Sequence, residues 1–152
     1  MRKIAVLGSR AWYDQQAVVS WIDTRYAVEG EFIIVSGGAK GACSAAEFQA
    51  QKMGLPVISI RPVTLQPFGH DPQYGVDEWR LYRGAGKIIP HYEPTWADWK
   101  SAAHYRSILI AERADEAVIF WDGHSPGSSF EIDLFRSADK PYEVIRAEAK
   151  QG

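Results

Sequence analysis

Short apolar runs of β-forming residues alternate along this chain with stretches of helical periodicity, and that alternation leaves few folds open. Residues 4–7, 32–35, 57–60, 117–121 and 142–145 are rich in Val, Ile and aromatic residues, apolar but for Ser59 and Glu143, and too short to be buried helices. Between them, residues 15–27, Ala42–Met53, 101–113 and 128–138 repeat apolar side chains at helical spacing. Strands that are apolar throughout belong in a sheet covered on both faces. Helices between consecutive strands make that sheet parallel, with right-handed crossovers. The expected fold is therefore α/β and Rossmann-like: a five-stranded parallel sheet with helices on both faces.

The 152 residues suit one such domain, expected over residues 1–146, with 147–152 as a C-terminal tail. One segment breaks the rhythm. Residues 61–98 stand between the third strand and the next long helix, where a link of about two to six residues is usual. This long insertion holds Pro62, Pro67, Pro72, Pro90 and Pro94 together with Tyr74, Trp79, Tyr82, Tyr92 and Trp96. It reads as an irregular surface excursion packing on its own aromatic rings, or as a lid or subunit contact. Residues 76–83 could form a short helix within it. So many large rings, with Trp99 just beyond, call for cover from a ligand cleft or from a second copy, so a homo-oligomer is expected.

Composition narrows the function. A net charge of −2 gives no bulk attraction for a polyanion, so nucleic acid is disfavoured as a partner. No apolar run approaches the ~20 residues of a membrane span. The N-terminus enters a strand without a signal-peptide plan, and Cys43 is the one cysteine, both fitting a reducing cytoplasm. No cluster of His, Cys and Asp suggests a metal. Neither the dinucleotide fingerprint nor the Walker loop is present, so no cofactor is expected.

In a parallel sheet every helix begins at the carboxyl edge, so the loops after the first, second and fourth runs converge there. They carry Gly8, Ser9 and Arg10; then Ser36, Gly37, Gly38, Lys40 and Gly41; then Asp122, Ser125, Gly127, Ser128 and Ser129. Glycines let a backbone approach a ligand closely, and N–H groups at a helix start attract anions. These residues are the candidate ligand-binding set, and a side chain at Gly38 should enter the ligand's space. Arg106 lies on the apolar face of its helix with Ala102, Ala103, Leu109 and Ile110, a costly place for a charge without a partner. It could hold a phosphate or carboxylate as a planar fork, or pair with Asp98 or Glu131. Glu131 could act on substrate, or simply close a capping box begun at Ser128.

Gly8-Ser9-Arg10, Ser36-Gly-Gly-Ala-Lys-Gly41, Arg106 and the loop Asp122-Gly-x-Ser-x-Gly-Ser128 resemble the SLOG superfamily. That Rossmann-like group contains the Smf/DprA DNA-processing proteins and the "Lonely guy" phosphoribohydrolases. The order of motifs is similar to the YspA-type branch, with Cys43, Ser107 and Ser128 where that branch carries Asp, Asn and Thr. His104-x-Arg106, Asp115 and Gly127-Ser128-x-x-Glu131 resemble the phosphoribohydrolase pattern, which implies Arg106 and Glu131 as catalytic residues. The 122–131 segment with Lys140-Pro141 also resembles the nucleoside deoxyribosyltransferases, whose matching Glu attacks a sugar carbon.

Both enzyme resemblances end at the N-glycosidic bond, where a carboxylate stabilises an oxocarbenium-like charge. The leading expectation is therefore a protein that binds a nucleotide or nucleotide-derived small molecule at the carboxyl edge, with phosphoribohydrolase-like N-glycosidase activity. A non-catalytic sensor or sequestering module for a signalling nucleotide, such as an ADP-ribose derivative, is the alternative. Single-strand nucleic-acid binding, in line with Smf/DprA, is the third.

Overall fold

A computed structural model describes residues 1–65, 73–82 and 85–146 of the chain. Seven strands and four helices follow in the order β1 (Lys3–Gly8), α1 (Gln15–Glu29), β2 (Ile33–Ser36), α2 (Ala42–Met53), β3 (Val57–Leu65), β4 (Gln73–Tyr82), β5 (Ala85–Trp96), α3 (Trp99–Arg113), β6 (Glu116–Trp121), α4 (Pro126–Ser137) and β7 (Tyr142–Arg146). They form one sheet of order β5-β4-β3-β2-β1-β6-β7. The five strands read from the sequence are its parallel part, and their order β3-β2-β1-β6-β7 is that of a Rossmann sheet.

The core obeys the two-residue alternation of buried strands. On one face Ile4, Val6, Ile34, Val57, Val118 and Phe120 meet Val18 and Ile22 of α1 and the alanine row of α2. On the other, Ala5, Leu7, Val35, Ile58, Ile60 and Ile119 meet Leu109 and Ile110 of α3 and Ile132 and Phe135 of α4. The helices end where their chemistry stops them. Asp14 caps α1 by accepting from Ala17 N at 3.1 Å, and Asp98 caps α3 by accepting from Ser101 N at 2.7 Å. Gly54 closes α2 in a left-handed conformation. No helix among the described residues is long and apolar enough to cross a membrane.

Where it is described, the 61–98 segment is strand as far as Trp96 rather than an irregular excursion. β3 runs on to Leu65 and pairs antiparallel with β4 from Val57↔Leu81 to Leu65↔Gln73, and β5 adds a further antiparallel strand. The short helix expected at 76–83 is strand as far as Tyr82, and Arg83 lies outside the described residues. The described prolines of the segment sit where a missing N–H costs little. Pro90 and Pro94 lie on β5, an edge of the sheet, and Pro62 lies beyond Ser59, the last β3 residue paired with β2. The expected tail at 147–152 lies outside the described residues.

The order of chain progression through the sheet reverses between the parallel strands β1 and β6, and at this switch point of the carboxyl edge such sheets form their crevice. It is tightly built at Gly8, where an added Cβ would come within 2.6 Å of Ala42 Cβ and 2.7 Å of Phe120 O. Gly8→Ala should therefore cost about 1–3 kcal/mol by overpacking. Urea unfolding should show a lower midpoint at an unchanged slope, and an unchanged midpoint would mean that α2 is free to move off β1.

Candidate functional site

Ser9 gathers three loops of the crevice. Its backbone N donates to Phe120 O at 2.9 Å, and its carbonyl accepts from Trp12 N at 3.0 Å. Its hydroxyl accepts from Asp122 N at 3.1 Å and shares a hydrogen bond with Ser128 Oγ, also at 3.1 Å. Gly41, at φ +85°, passes so close that a Cβ would sit 2.6 Å from Ser9 O. Both hydroxyls are buried at 2% exposure, so Ser9 and Ser128 brace the loops rather than face a ligand.

Asp122 is also committed to structure. Its carboxylate accepts from Ser125 N and His124 N, each at 2.8 Å, and from Ser125 Oγ at 2.7 Å. These donors, the Ser125 amide first, hold its pKa down at about 2. The loop they close leads into α4 at Pro126, earlier than the sequence suggested, with Ser125 as N-cap. Glu131 thus lies in the second turn, and the expected Ser128–Glu131 capping box does not form. Gly127 stands open, with no atom within 4 Å of an added Cβ.

The glycine-rich loop after β2 is flanked by two arginines. Arg106 Nη1 donates to Gly37 O at 2.7 Å. Arg61 lies over Gly38, where an added Cβ would come within 2.5 Å of its Nε. A side chain at Gly38, which has φ +68°, would therefore meet Arg61 before any ligand. Arg61 is fixed by Ser59 Oγ at 2.8 Å and Glu47 Oε1 at 2.6 Å, while Glu47 Oε2 accepts from Ser36 Oγ at 2.8 Å. Ser36 Oγ in turn accepts from Gly38 N at 3.1 Å. Arg61 and Glu47 were not singled out in the sequence. The available signal was Arg61 itself, a charge directly after an apolar strand.

Arg106 and Glu131 come to the same region by different routes. Glu131 is buried at 8% exposure, its carboxylate 3.4 Å from Ser107 Oγ. Asp98, the other proposed partner of Arg106, is taken up capping α3. Burial lifts the Glu131 pKa to about 7, against the opposing pull of Arg106 and the Ser107 hydroxyl. Cys43 is buried beside them, and burial likewise raises its thiol pKa.

Other candidates face outward. Arg10 and Lys40 are exposed and enter no ion pair among the described residues, and Ser129 is half-buried. Tyr13, at 51% exposure, was not foreseen. Its neighbour Trp12 is buried against Phe120, ring centroids 5.3 Å apart, and donates from Nε1 to Asp14 O at 2.8 Å, which fixes the loop around Tyr13.

No protein-family model matches the chain, and no curated protein matches it. Among solved structures it is similar to DNA processing protein A from Streptococcus pneumoniae, with a TM-score of 0.67 and 22% identity over 98% of this chain. It is also similar to DNA processing protein A from Helicobacter pylori, solved for its single-stranded DNA binding mode, with a TM-score of 0.63 and 20% identity over 99% of this chain. The chain spans 52% of the first protein and 68% of the second. At this identity the likeness is one of fold, and it agrees with the Smf/DprA side of the SLOG resemblance.

These neighbours overturn the leading expectation of a small-nucleotide site with N-glycosidase activity, and with it the view that nucleic acid is disfavoured. They side instead with the reading placed third, single-strand nucleic-acid binding. A net charge of −2 is no argument against nucleic acid, because a whole-chain sum averages over faces whereas a nucleic acid meets only local charge.

The buried carboxyl of Glu131 makes stability pH-dependent. Its pKa is raised from 4.5 unfolded to about 7 folded, so between these values the folded chain binds the extra proton. Stability therefore falls as pH rises through this window, by something on the order of 3 kcal/mol in all. Glu131→Gln removes the loss. Relative to wild type, the variant should gain stability on going from about pH 5 to about pH 8 in urea titrations. An equal difference at both pH values would show that Glu131 is ionised throughout.

Proposed function

We propose that this chain binds single-stranded DNA across the carboxyl edge of its sheet. The observation that carries the reading is the likeness, over 99% of the chain, to a protein solved for its single-stranded DNA binding mode. The surface chemistry supports it. Arg10 and Lys40 stand exposed on adjacent loops, outside the ion pairs found among the described residues. Tyr13, three residues beyond Arg10, presents an aromatic ring to solvent. Exposed cations beside an exposed ring suit a single strand, whose phosphates need charge and whose unpaired bases offer faces for stacking.

In this reading Arg10, Lys40 and the Gly37–Gly41 loop take backbone phosphates, and Tyr13 takes a base. Ser9, Asp122, Ser125 and Ser128 hold the loops in place from beneath, and Arg106 fixes the loop backbone at Gly37. The Gly-Ser-Arg and Ser-Gly-Gly-Ala motifs supply these positions and support a place in the YspA-type branch of the SLOG group. No step of bond cleavage enters the proposal.

Fluorescence anisotropy with a labelled oligothymidylate tests it. Binding should be salt-dependent and stronger than for duplex of the same length. Arg10→Ala with Lys40→Ala should weaken it at least ~10-fold and reduce the slope of log K against log salt by about 1.4, roughly 0.7 for each lost phosphate contact. Tyr13→Ala should cost a further ~1–3 kcal/mol. No measurable binding by wild type, or an unaltered affinity and slope in the double variant, would refute the proposal.

A further inference from the structure

Two elements rise from the arginines that flank the glycine loop, and their far ends meet. On α3, Trp99 stands seven positions before Arg106, on the same helical face and two turns nearer the helix start, a rise of about 10 Å. On the other side β3 continues three residues past Arg61 to Thr64, again about 10 Å, and Thr64 pairs with Tyr74 of β4. The Tyr74 and Trp99 rings touch edge to face, centroids 5.7 Å apart at 86°. Tyr74 also pairs with Trp96 of β5, whose ring packs on Tyr105 at 5.1 Å.

These aromatic residues differ in exposure. Tyr74 and Trp96 are half-buried, whereas Trp99 remains 40% exposed. Leaving so large an apolar ring in water forgoes stabilisation that burial would give. The edge of Tyr74 holds the Trp99 ring in one orientation, which lowers the entropic cost of stacking a planar group on it. Between Trp99 and Arg106 the same helical face carries only the small side chains of Ala102, which is buried, and Ala103, so no large side chain of α3 stands between ring and guanidinium.

We infer that Trp99, braced by Tyr74, is a stacking platform for a nucleobase whose own backbone phosphate lies lower down, at the glycine loop between Arg61 and Arg106. The inference rests on the single-stranded DNA reading and extends it to the other side of the crevice from Tyr13. Tyr13 follows β1 and Trp99 follows β5, so the two rings lie on opposite sides of the glycine loop that follows β2. A strand crossing the loop is then held by charge in the middle and by a ring at each end, which sets a minimum length for full affinity. Adjacent strands are ~4.8 Å apart, so crossing from β1 to β4 covers about 14 Å, or several nucleotides.

The test compares an oligothymidylate with an abasic oligomer of the same length, which keeps the phosphates and removes the bases. Trp99→Ala should weaken oligothymidylate binding about 10-fold and leave abasic binding unchanged, while Trp99→Phe keeps most of the affinity. Bound oligothymidylate should also quench less tryptophan fluorescence in Trp99→Phe than in wild type. Wild-type affinity in Trp99→Ala, or equal losses for the two oligomers, would overturn the platform. If the Arg10/Lys40 double variant loses both oligomers while Trp99→Ala loses neither, the platform falls alone. If wild type binds neither oligomer, the single-stranded DNA reading falls with it.

Discussion

The rest of the carboxyl edge depends on one buried hydroxyl. Ser9 Oγ joins the loop after β1 to the loop after β6 through Asp122 N and Ser128 Oγ, while its carbonyl takes the first turn toward α1. A buried hydroxyl left without partners costs on the order of 1–3 kcal/mol, so the loops must keep their mutual positions to satisfy it. Gly8 and Gly41 make this closeness possible, since at both places a single methyl group would collide with a neighbouring loop or helix. The residues that look most like a ligand cradle in sequence are thus partly the fastening of the cradle.

That division of labour explains how an acidic chain offers a cationic edge. Glu47 and Glu131 are buried beneath the glycine loop, and Glu116 lies at the opposite end of the sheet with Arg2 and Arg25. Glu47 holds Arg61 over the loop, and burial, by lifting the Glu131 carboxyl to about 7, leaves it about half protonated near neutral pH. Both carboxyl groups therefore add little negative potential where Arg10 and Lys40 are exposed. A net charge of −2 coexists with the exposed Arg10 and Lys40 because Glu47, Glu116 and Glu131 are buried or paired, while Asp14 and Asp122 at the same edge accept backbone N–H groups.

The antiparallel strands β4 and β5 change the shape of that edge. A plain Rossmann sheet ends its strands at one level, with helices starting just above. Here β3 outruns β2 by six residues, from its last pairing at Ser59 to Leu65, and carries β4 and β5 with it as a wall beside the crevice. The wall brings Tyr74 to the start of α3, where it meets Trp99.

Much of this was legible in the chain. Apolar runs separated by helical periodicity determine a parallel α/β sheet, because each pattern buries itself in one kind of secondary structure. The loop motifs at Gly8–Arg10, Ser36–Gly41 and Asp122–Ser128 were placed at the carboxyl edge on the same grounds, since parallel connectivity leaves them nowhere else. What the residues in those loops do was decided only by tertiary structure. Ser128 looks like a helix cap until Ser9, 119 residues away, takes its hydroxyl. Glu131 looks like the other half of a capping box until α3 brings Ser107 against it. Arg61 and Glu47 carried no motif, and the strand at 85–96 was masked by Pro90 and Pro94, whose missing N–H groups cost little on an edge strand. Local pattern records which backbone form a segment prefers. Which polar group satisfies which, and where an unpaired edge lies, depends on residues far apart in the chain that meet only once the sheet has formed.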